Sequence, residues 1–314
     1  MTGIGIDIGG TKVAVGIVDQ DGVILSTDRA PMVKDSHETM LESICTVVDR
    51  LLAKAQERPS AIGVAVPGTV DRDRGIAVSA VNVGWRDLPL VPLLQDRYDL
   101  PGVIANDANA GAWGEYAFGS GKDAQNLVYI TVGTGIGGGI IEAGRVVRGQ
   151  GSAGEIGHIL VSPGGPLCPC GVRGCLESLA AGPGIARRGR QAAANELTDI
   201  VRRLTDGDIE NLTSVTVRDA AEAGDPVMQA VRDDTARWLA IGCQICQQLF
   251  APGCIVFGGG VMQDGGRLIQ EIRNWFQCLA GSPHPDVGNY IRLAAESEHS
   301  GIVGAAALVL QPES

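Results

Sequence analysis

Four residues near the middle of the chain have the types and spacing of a metal centre. His158, Cys168, Cys170 and Cys175 read H-x9-C-x-C-x4-C, with Gly171 and Gly174 letting the chain turn sharply. Three thiolates and one imidazole suit a closed tetrahedral Zn²⁺ site, structural because no position remains open for a reacting water. If His158 binds through one ring nitrogen, its other N–H is fixed in direction and can donate to a ligand. Asn106 and Asp107 form a second candidate, placed after the apolar segment Val103-Ile104-Ala105 at a strand-to-helix junction. There a carboxylate can take a hydroxyl proton while the amide holds the neighbouring hydroxyl. A helix cap accounts for Asp107 equally well on local grounds. Glu155 and Glu177, beside the cysteine cluster, offer further acceptors for a polyhydroxyl ligand, and solvated surface acids are the alternative.

Three glycine clusters each follow an apolar run: Asp7-Ile8-Gly9-Gly10-Thr11-Lys12, Gly133-Thr134-Gly135-Ile136-Gly137-Gly138-Gly139 and Gly258-Gly259-Gly260. Backbone without Cβ approaches an anion closely and presents N–H groups to phosphate oxygens, although any one cluster alone reads equally as a tight hairpin. A dinucleotide fold requires a helix after the glycines, but Val13-Ala14-Val15 and Ile140-Ile141 continue as strand. A Walker A loop also fails, because Gly119-Ser120-Gly121-Lys122 has Tyr116 where its first glycine belongs and Asp123 after the lysine. What remains is a phosphate site made from hairpins. Asp7 at its edge makes physical sense with Mg²⁺ between acid and phosphates, or as an acid closing its own turn.

The elements that must position these residues repeat. Strand, glycine turn, strand and hairpin at Asp21-Gly22 open the chain, and a similar order recurs about 125 residues later, with a turn at Ala143-Gly144. Two related halves with a cleft between them are expected. Between them, 36–54 reads as an amphipathic helix, though Ser36 and Thr39 lack the acid of a usual capping box. Residues 62–66 and 254–257 read as short buried strands, and 107–119 as a helix ended by Gly119 and Gly121. Residues 220–250 are helical with a break at Gly224-Asp225-Pro226, and 301–310 form a small-residue helix returning to the first half. The expected domains are 1–118 plus 301–314, small and α/β, and 119–300, a larger α/β domain carrying the zinc site, with a hinge near Gly119. Cys243 and Cys246 sit in an apolar helical stretch and read as ordinary buried cysteines.

Composition agrees with this reading. A length of 314 residues suggests about two domains. The 45 glycines follow no collagen-like period, so they mark particular turns. A net charge of −11 without a basic cluster argues against nucleic acid and anionic membranes as partners. No basic leader and no long apolar run is present, so a cytoplasmic protein is expected. Eight cysteines are too few for a disulfide scaffold, which favours metal for the tight cluster.

Taken together, these residues resemble the ROK sugar kinases (repressors, open reading frames, kinases), along nearly the whole chain. Cys168-Pro169-Cys170-Gly171-Val172-Arg173-Gly174-Cys175-Leu176-Glu177 is similar to the family signature. The resemblance implies an α/β actin-like ATPase (ribonuclease H-like) duplicated fold, with two domains around a central cleft. It implies ATP with Mg²⁺, and structural Zn²⁺ on His158, Cys168, Cys170 and Cys175. Asp7, Gly9, Gly10, Thr11 and Lys12 then belong to the first phosphate loop, Thr134 and Gly135 to the second, and Gly258 and Gly259 to an adenosine segment beginning at Phe250-Ala251-Pro252. Asp107 is implied as catalytic base, with Asn106, Glu155, His158 and Glu177 holding sugar hydroxyls and Gly68 and Asn82 lining the same pocket. Family repressors carry a DNA-binding segment ahead of the first phosphate loop. Here that loop lies within the first twelve residues, which favours a kinase. Asn82-Val83-Gly84-Trp85 resembles the pocket edge of the glucose-specific members, whereas Ala105 departs from the Glu often found before the Asn-Asp pair. The expectation is ATP-dependent phosphorylation of a hexose, glucose at its 6-hydroxyl, by a homodimer. A kinase for N-acetylmannosamine or fructose, or a non-catalytic sugar sensor, is the alternative.

Overall fold

The structure is a computed structural model that describes residues 1–33, 36–80, 84–280, 284, 286–295 and 299–313. The chain opens as an antiparallel meander of β1 (Thr2–Ile8), β2 (Lys12–Asp19) and β3 (Ile24–Pro31). Burial along β1 is nearly continuous, as expected of a strand covered on both faces, whereas β3 alternates and lies at the sheet edge. Helix α1 (His37–Leu52) follows and packs on β2 and β3. Its start is a capping box after all, because the Thr39 hydroxyl takes the part of the missing acid: Thr39 N donates to Ser36 Oγ and Ser36 N to Thr39 Oγ1. Next come β4 (Ile62–Val66), a small antiparallel sheet of β5 (Thr69–Asp71), β6 (Ile76–Ala80) and β7 (Trp85–Leu88), helix α2 (Leu90–Tyr98) and β8 (Gly102–Asn106). Helix α3 (Asp107–Ala117) starts directly from the end of β8. The first sheet has the order β3-β2-β1-β4-β8, with β4 parallel to both β1 and β8.

The second sheet repeats the first. Strands β9 (Leu127–Val132), β10 (Ile136–Glu142) and β11 (Arg145–Val146), then β12 (Cys254–Gly258) and β13 (Ile291–Leu293), take the order β11-β10-β9-β12-β13. The duplication expected from sequence is therefore visible strand for strand. Strand β10 begins inside the glycine run, at Ile136, so the turn itself is only Gly133 to Gly135. The helical insertion between β11 and β12 holds α4 (Leu176–Ala180), α5 (Gly182–Asn195), α6 (Asp199–Leu204), α7 (Ser214–Glu222) and α8 (Pro226–Phe250). The expected break falls between α7 and α8, where Asp225 caps α8 and Pro226 begins it. Helices α9 (Arg267–Leu279) and α10 (Val287–Tyr290) precede β13, and α11 (Ser300–Leu310) follows it.

Two compact units divide the chain, Met1–Tyr129 with Gly139–Gly154 and Ala294–Ser314, and Ile130–Gly138 with Glu155–Leu293. The first has a core of Ile4, Ile6, Val64 and Ile104 with Ile44 and Val48 of α1. The second has its own core, including Ile185, Leu212, Val217 and Met228 from the helical insertion. In the first unit α11 lies directly against β1, β4 and α3. Its approach leaves no room for side chains: a Cβ on Gly63 would sit 1.8 Å from the Ala305 carbonyl oxygen, and one on Gly304 2.4 Å from that of Ala110. Gly304→Val should therefore destabilise by about 3 kcal/mol, since the atoms in the way are backbone and cannot rotate aside. Gly288→Ala, where a Cβ meets nothing nearer than 3.9 Å, should stay within about 0.5 kcal/mol. Urea unfolding midpoints of the two variants measure the difference.

Candidate active site

In the first unit the glycine turn Gly9–Lys12 is closed by Gly9 N donating to the Lys12 carbonyl at 2.9 Å. Asp7 is the penultimate residue of β1, just before that turn, against the first turn of α11. A Cβ on Gly301 would lie 2.4 Å from the Asp7 Cγ, so only glycine leaves space for the carboxylate. Burial pushes the Asp7 pKa above the usual carboxylate range, and the Lys12 charge opposes that only in part. A half-buried acid of raised pKa, near the end of a strand and beside a half-buried glycine turn, has the chemistry of a ligand for a hard cation such as Mg²⁺.

Asn106 and Asp107 stand at the β8–α3 junction, and their division of labour resolves the ambiguity of the sequence. Asn106 is the helix cap: its Oδ1 accepts from Ala108 N at 3.0 Å and from Asn109 N at 3.1 Å. Its Nδ2 donates to the Gly68 carbonyl at 3.1 Å and to Asp107 Oδ1 at 3.0 Å. Asp107 Oδ1 also accepts from Ala108 N at 2.8 Å. The cap role is thus filled by Asn106, and the exposed Asp107 carboxylate is held in a fixed orientation at the positive end of α3. Gly68 joins the cluster through its carbonyl. Asn82 lies outside the described residues.

In the second unit a cavity of about 660 Å³ opens between the second glycine turn and the third glycine cluster. Gly133 and Thr134 line one part of it and Gly260 and Val261 another, with Ile185, Ala186 and Val217 supplying apolar wall. That mix of apolar wall and backbone donors suits a nucleoside with its phosphates leading away. Gly135, Gly258 and Gly259 are not among the residues that line it. Three arginines at its wall, Arg190, Arg218 and Arg232, had no sequence signal, because each lies on a helix that reads as ordinary surface. Arg232 is locked by Glu271 through Nε at 2.9 Å and Nη2 at 2.6 Å, while its buried Nη1 has no protein acceptor.

The metal cluster assembles in the same unit. His158 ends a short 3₁₀ turn (Ile156–His158), and Cys168, Cys170 and Cys175 come from a tight loop folded by Cys168 N to the Val172 carbonyl and Gly171 N to the Cys168 carbonyl, both 2.9 Å. All four ligand atoms lie within 4.8 Å of one another. His158 Nδ1 is 3.6 Å from Cys168 Sγ, and the Cys170 and Cys175 sulfurs are 3.7 Å apart. A tetrahedron with Zn–S of about 2.3 Å and Zn–N of about 2.0 Å has edges of about 3.6 to 3.8 Å, so the donor set fits Zn²⁺. Burial pushes Cys168 up to about 12 and Cys175 upward, while the Val172 backbone N–H pulls Cys170 down. A cation is what makes three adjacent thiolates compatible. The remaining ring nitrogen of His158, Nε2, faces Glu155 Oε2 at 3.9 Å. Glu177, in the first turn of α4, accepts from Ile136 N at 2.9 Å through Oε2, with Oε1 3.7 Å from Cys168 Sγ. It therefore ties the cysteine loop to the second glycine turn.

The two sets of expected residues thus gather within their own units: Asp7, Gly9, Gly10, Thr11, Lys12, Gly68, Asn106 and Asp107 in one, and Thr134, Gly135, Glu155, His158, Glu177, Gly258, Gly259 and the cysteines in the other. Cys243 and Cys246 are fully buried, as expected.

Two outcomes follow. A raised folded pKa makes the neutral form of Asp7 the favoured one, so its contribution is full below its unfolded pKa and is lost as pH rises through its folded pKa. Asp7→Asn should accordingly raise the melting temperature at neutral pH more than at acidic pH, while abolishing nucleotide-dependent turnover. Paired thermal melts and activity assays check this, and equal melting gains at both pH values contradict it. Zinc analysis should find one ion per chain, and chelation should expose the loop around Cys168 to proteolysis, which Cys170→Ser should reproduce. Mass spectrometry of the fragments locates the cut.

Among the described residues no helix is long and apolar enough to cross a membrane. A profile of the ROK family matches residues 3–312. A glucokinase of Streptomyces coelicolor is 38% identical over 99% of this chain and 98% of its own length. An N-acetylmannosamine kinase of Escherichia coli is 34% identical over 98% of each chain. Among solved structures, a ROK family glucokinase from Streptomyces griseus in complex with glucose and AMPPNP superposes with a TM-score of 0.86 at 37% identity, covering 98% of this chain and 99% of that one. With a family profile spanning the glycine turns, the Asn106-Asp107 junction and the cysteine cluster alike, the chain belongs to the ROK family.

Proposed function

We propose that the protein is an ATP-dependent hexose kinase that phosphorylates glucose at its 6-hydroxyl. The observation that carries the reading is the Asn106-Asp107 junction: one residue caps the helix, so that the other presents an oriented carboxylate. Asp107 accepts the 6-hydroxyl proton as the oxygen attacks the γ-phosphorus, and the bond to the β–γ bridging oxygen breaks as ADP leaves. The turn Gly9 to Lys12 and the turn at Thr134 and Gly135 offer backbone N–H groups and the Lys12 ammonium to the phosphates. Bound with the nucleotide, Mg²⁺ supplies charge neutralisation at the β- and γ-phosphates, and Asp7 is the residue that would hold it. The cavity beside Gly133 and Gly260 takes the nucleoside, Gly258 and Gly259 directly preceding Gly260 in the chain.

Sugar hydroxyls fall to Glu155, His158 and Glu177, together with Asn106, Gly68 and Asn82. His158 can serve because Nδ1 is committed to the cysteine cluster, which leaves Nε2 to act as donor. Zinc is structural in this reading. The same reading takes residues 1–118 with 301–314, and residues 119–300, as the bodies whose closure excludes water from the transfer. It also makes the protein a cytoplasmic homodimer, supported by family resemblance and by a thiolate site suited to a reducing compartment. The 38% identity to a glucokinase against 34% to an N-acetylmannosamine kinase favours glucose.

A coupled ADP-release assay across glucose, N-acetylmannosamine and fructose should show the highest kcat/KM for glucose. Asp107→Asn should lower kcat by about 100-fold or more and leave glucose affinity within about threefold. Near-normal turnover in that variant overturns the assignment of the base. Sedimentation at assay concentration tests the dimer.

A further inference from the structure

A carboxylate outside the residues assigned so far is held by two arginines of the first unit. Glu313, in the segment that follows α11, is only 10% exposed and is shared by two arginines. Arg148 grips it with both terminal nitrogens, Nη1 donating to Oε2 at 2.9 Å and Nη2 donating to Oε1, and Arg72 Nη1 lies 3.4 Å from Oε1. A two-pronged guanidinium grip on a carboxylate fixes its direction as well as pairing its charge. The segment is itself positioned by Trp113 of α3, whose Nε1 donates to the Gln311 carbonyl at 2.8 Å.

What the two arginines carry gives the arrangement its meaning. Arg72 directly follows β5, whose own start adjoins Gly68, the residue whose carbonyl braces Asn106. Arg148 roots the loop that runs on to Glu155: its carbonyl accepts from Gly151 N at 2.8 Å and Ala153 N at 3.2 Å. The same loop comes against β5, where a Cβ on Gly151 would stand 3.6 Å from Thr69 Cγ2. One buried charge thereby fixes the roots of two chain segments, one leading from Gly68 and the other leading to Glu155.

We propose that Glu313 is a positioning residue for sugar binding, acting through Arg148 and Arg72 to hold the 148–154 loop against β5. The proposal rests on the hexose-kinase reading and adds to it a residue far from the reacting atoms. Glu313→Gln keeps shape and removes charge. It should raise the glucose KM, and the glucose Kd measured by calorimetry without nucleotide, by about tenfold, with kcat and ATP KM within about twofold. Arg148→Met should do the same, and the double variant should be no worse than either single, since each removes the same link. Arg72→Met tests the second arm and serves where Glu313→Gln folds poorly. A merely structural role would instead lower the melting temperature and move both KM values together. The proposal is overturned if the rise in glucose KM and Kd is below about threefold, or if ATP KM rises in parallel. Absence of any sugar kinase activity in the unaltered protein would overturn the hexose-kinase reading itself, a result distinct from normal activity that ignores Glu313.

Discussion

The approach of α11 to its neighbours is the constraint on which the first unit depends. A helix can lie this near a sheet and a second helix only where side chains are absent, and Gly5, Gly63 and Gly304 supply that absence. Because the obstructing atoms are backbone, the spacing has almost no tolerance. It also sets the chemistry, since the same helix begins against Asp7 and packs along α3, the helix that begins at Asp107. Asp7 and Asp107 are therefore both located by one packing interface.

The site shows repeated substitution of a local interaction for a function that a nearby residue would otherwise perform. Asn106 accepts from two of the orphan N–H groups of α3, while Asp107, bonded to Ala108 N as well, holds an oriented carboxylate at the exposed start of the helix. Asp7 is kept in surroundings that disfavour its charge, with the Lys12 charge opposing that only in part. The loop carrying the cysteines has little regular secondary structure and no apolar core of its own. His158 and the three cysteines bring their donor atoms within 4.8 Å of one another there, and Glu177 links that loop to the second glycine turn.

Much of the fold was legible because its signals are local. Strand, glycine turn and strand can be read from a few consecutive residues, and the second occurrence revealed the duplication that the two sheet orders display. The helix break before Pro226 and the buried run of β12 were legible for the same reason. Where the reading was incomplete, a non-local or less usual partner was responsible. Thr39 replaced the acid sought in a capping box, and Ile136 began a strand inside a glycine run because its backbone N–H is anchored by Glu177, 41 residues away. The arginines at the wall of the second-unit cavity were invisible, since helical periodicity says which face is apolar and nothing about which cavity a polar face will border.

By itself the sequence determined the identity of the chemical groups and their order: the glycine turns, the Asn-Asp pair, the His and three Cys of the metal centre, and the family to which they point. Those are properties of residue type and short spacing, which survive any rearrangement of the rest of the chain. Only the tertiary structure decided that Asn106 rather than Asp107 caps α3, that Nδ1 rather than Nε2 of His158 faces the sulfurs, and that Glu313 meets Arg72 and Arg148. Each of those choices is a hydrogen bond or ion pair whose geometry is set by where packed elements end, and no spacing along the chain encodes it.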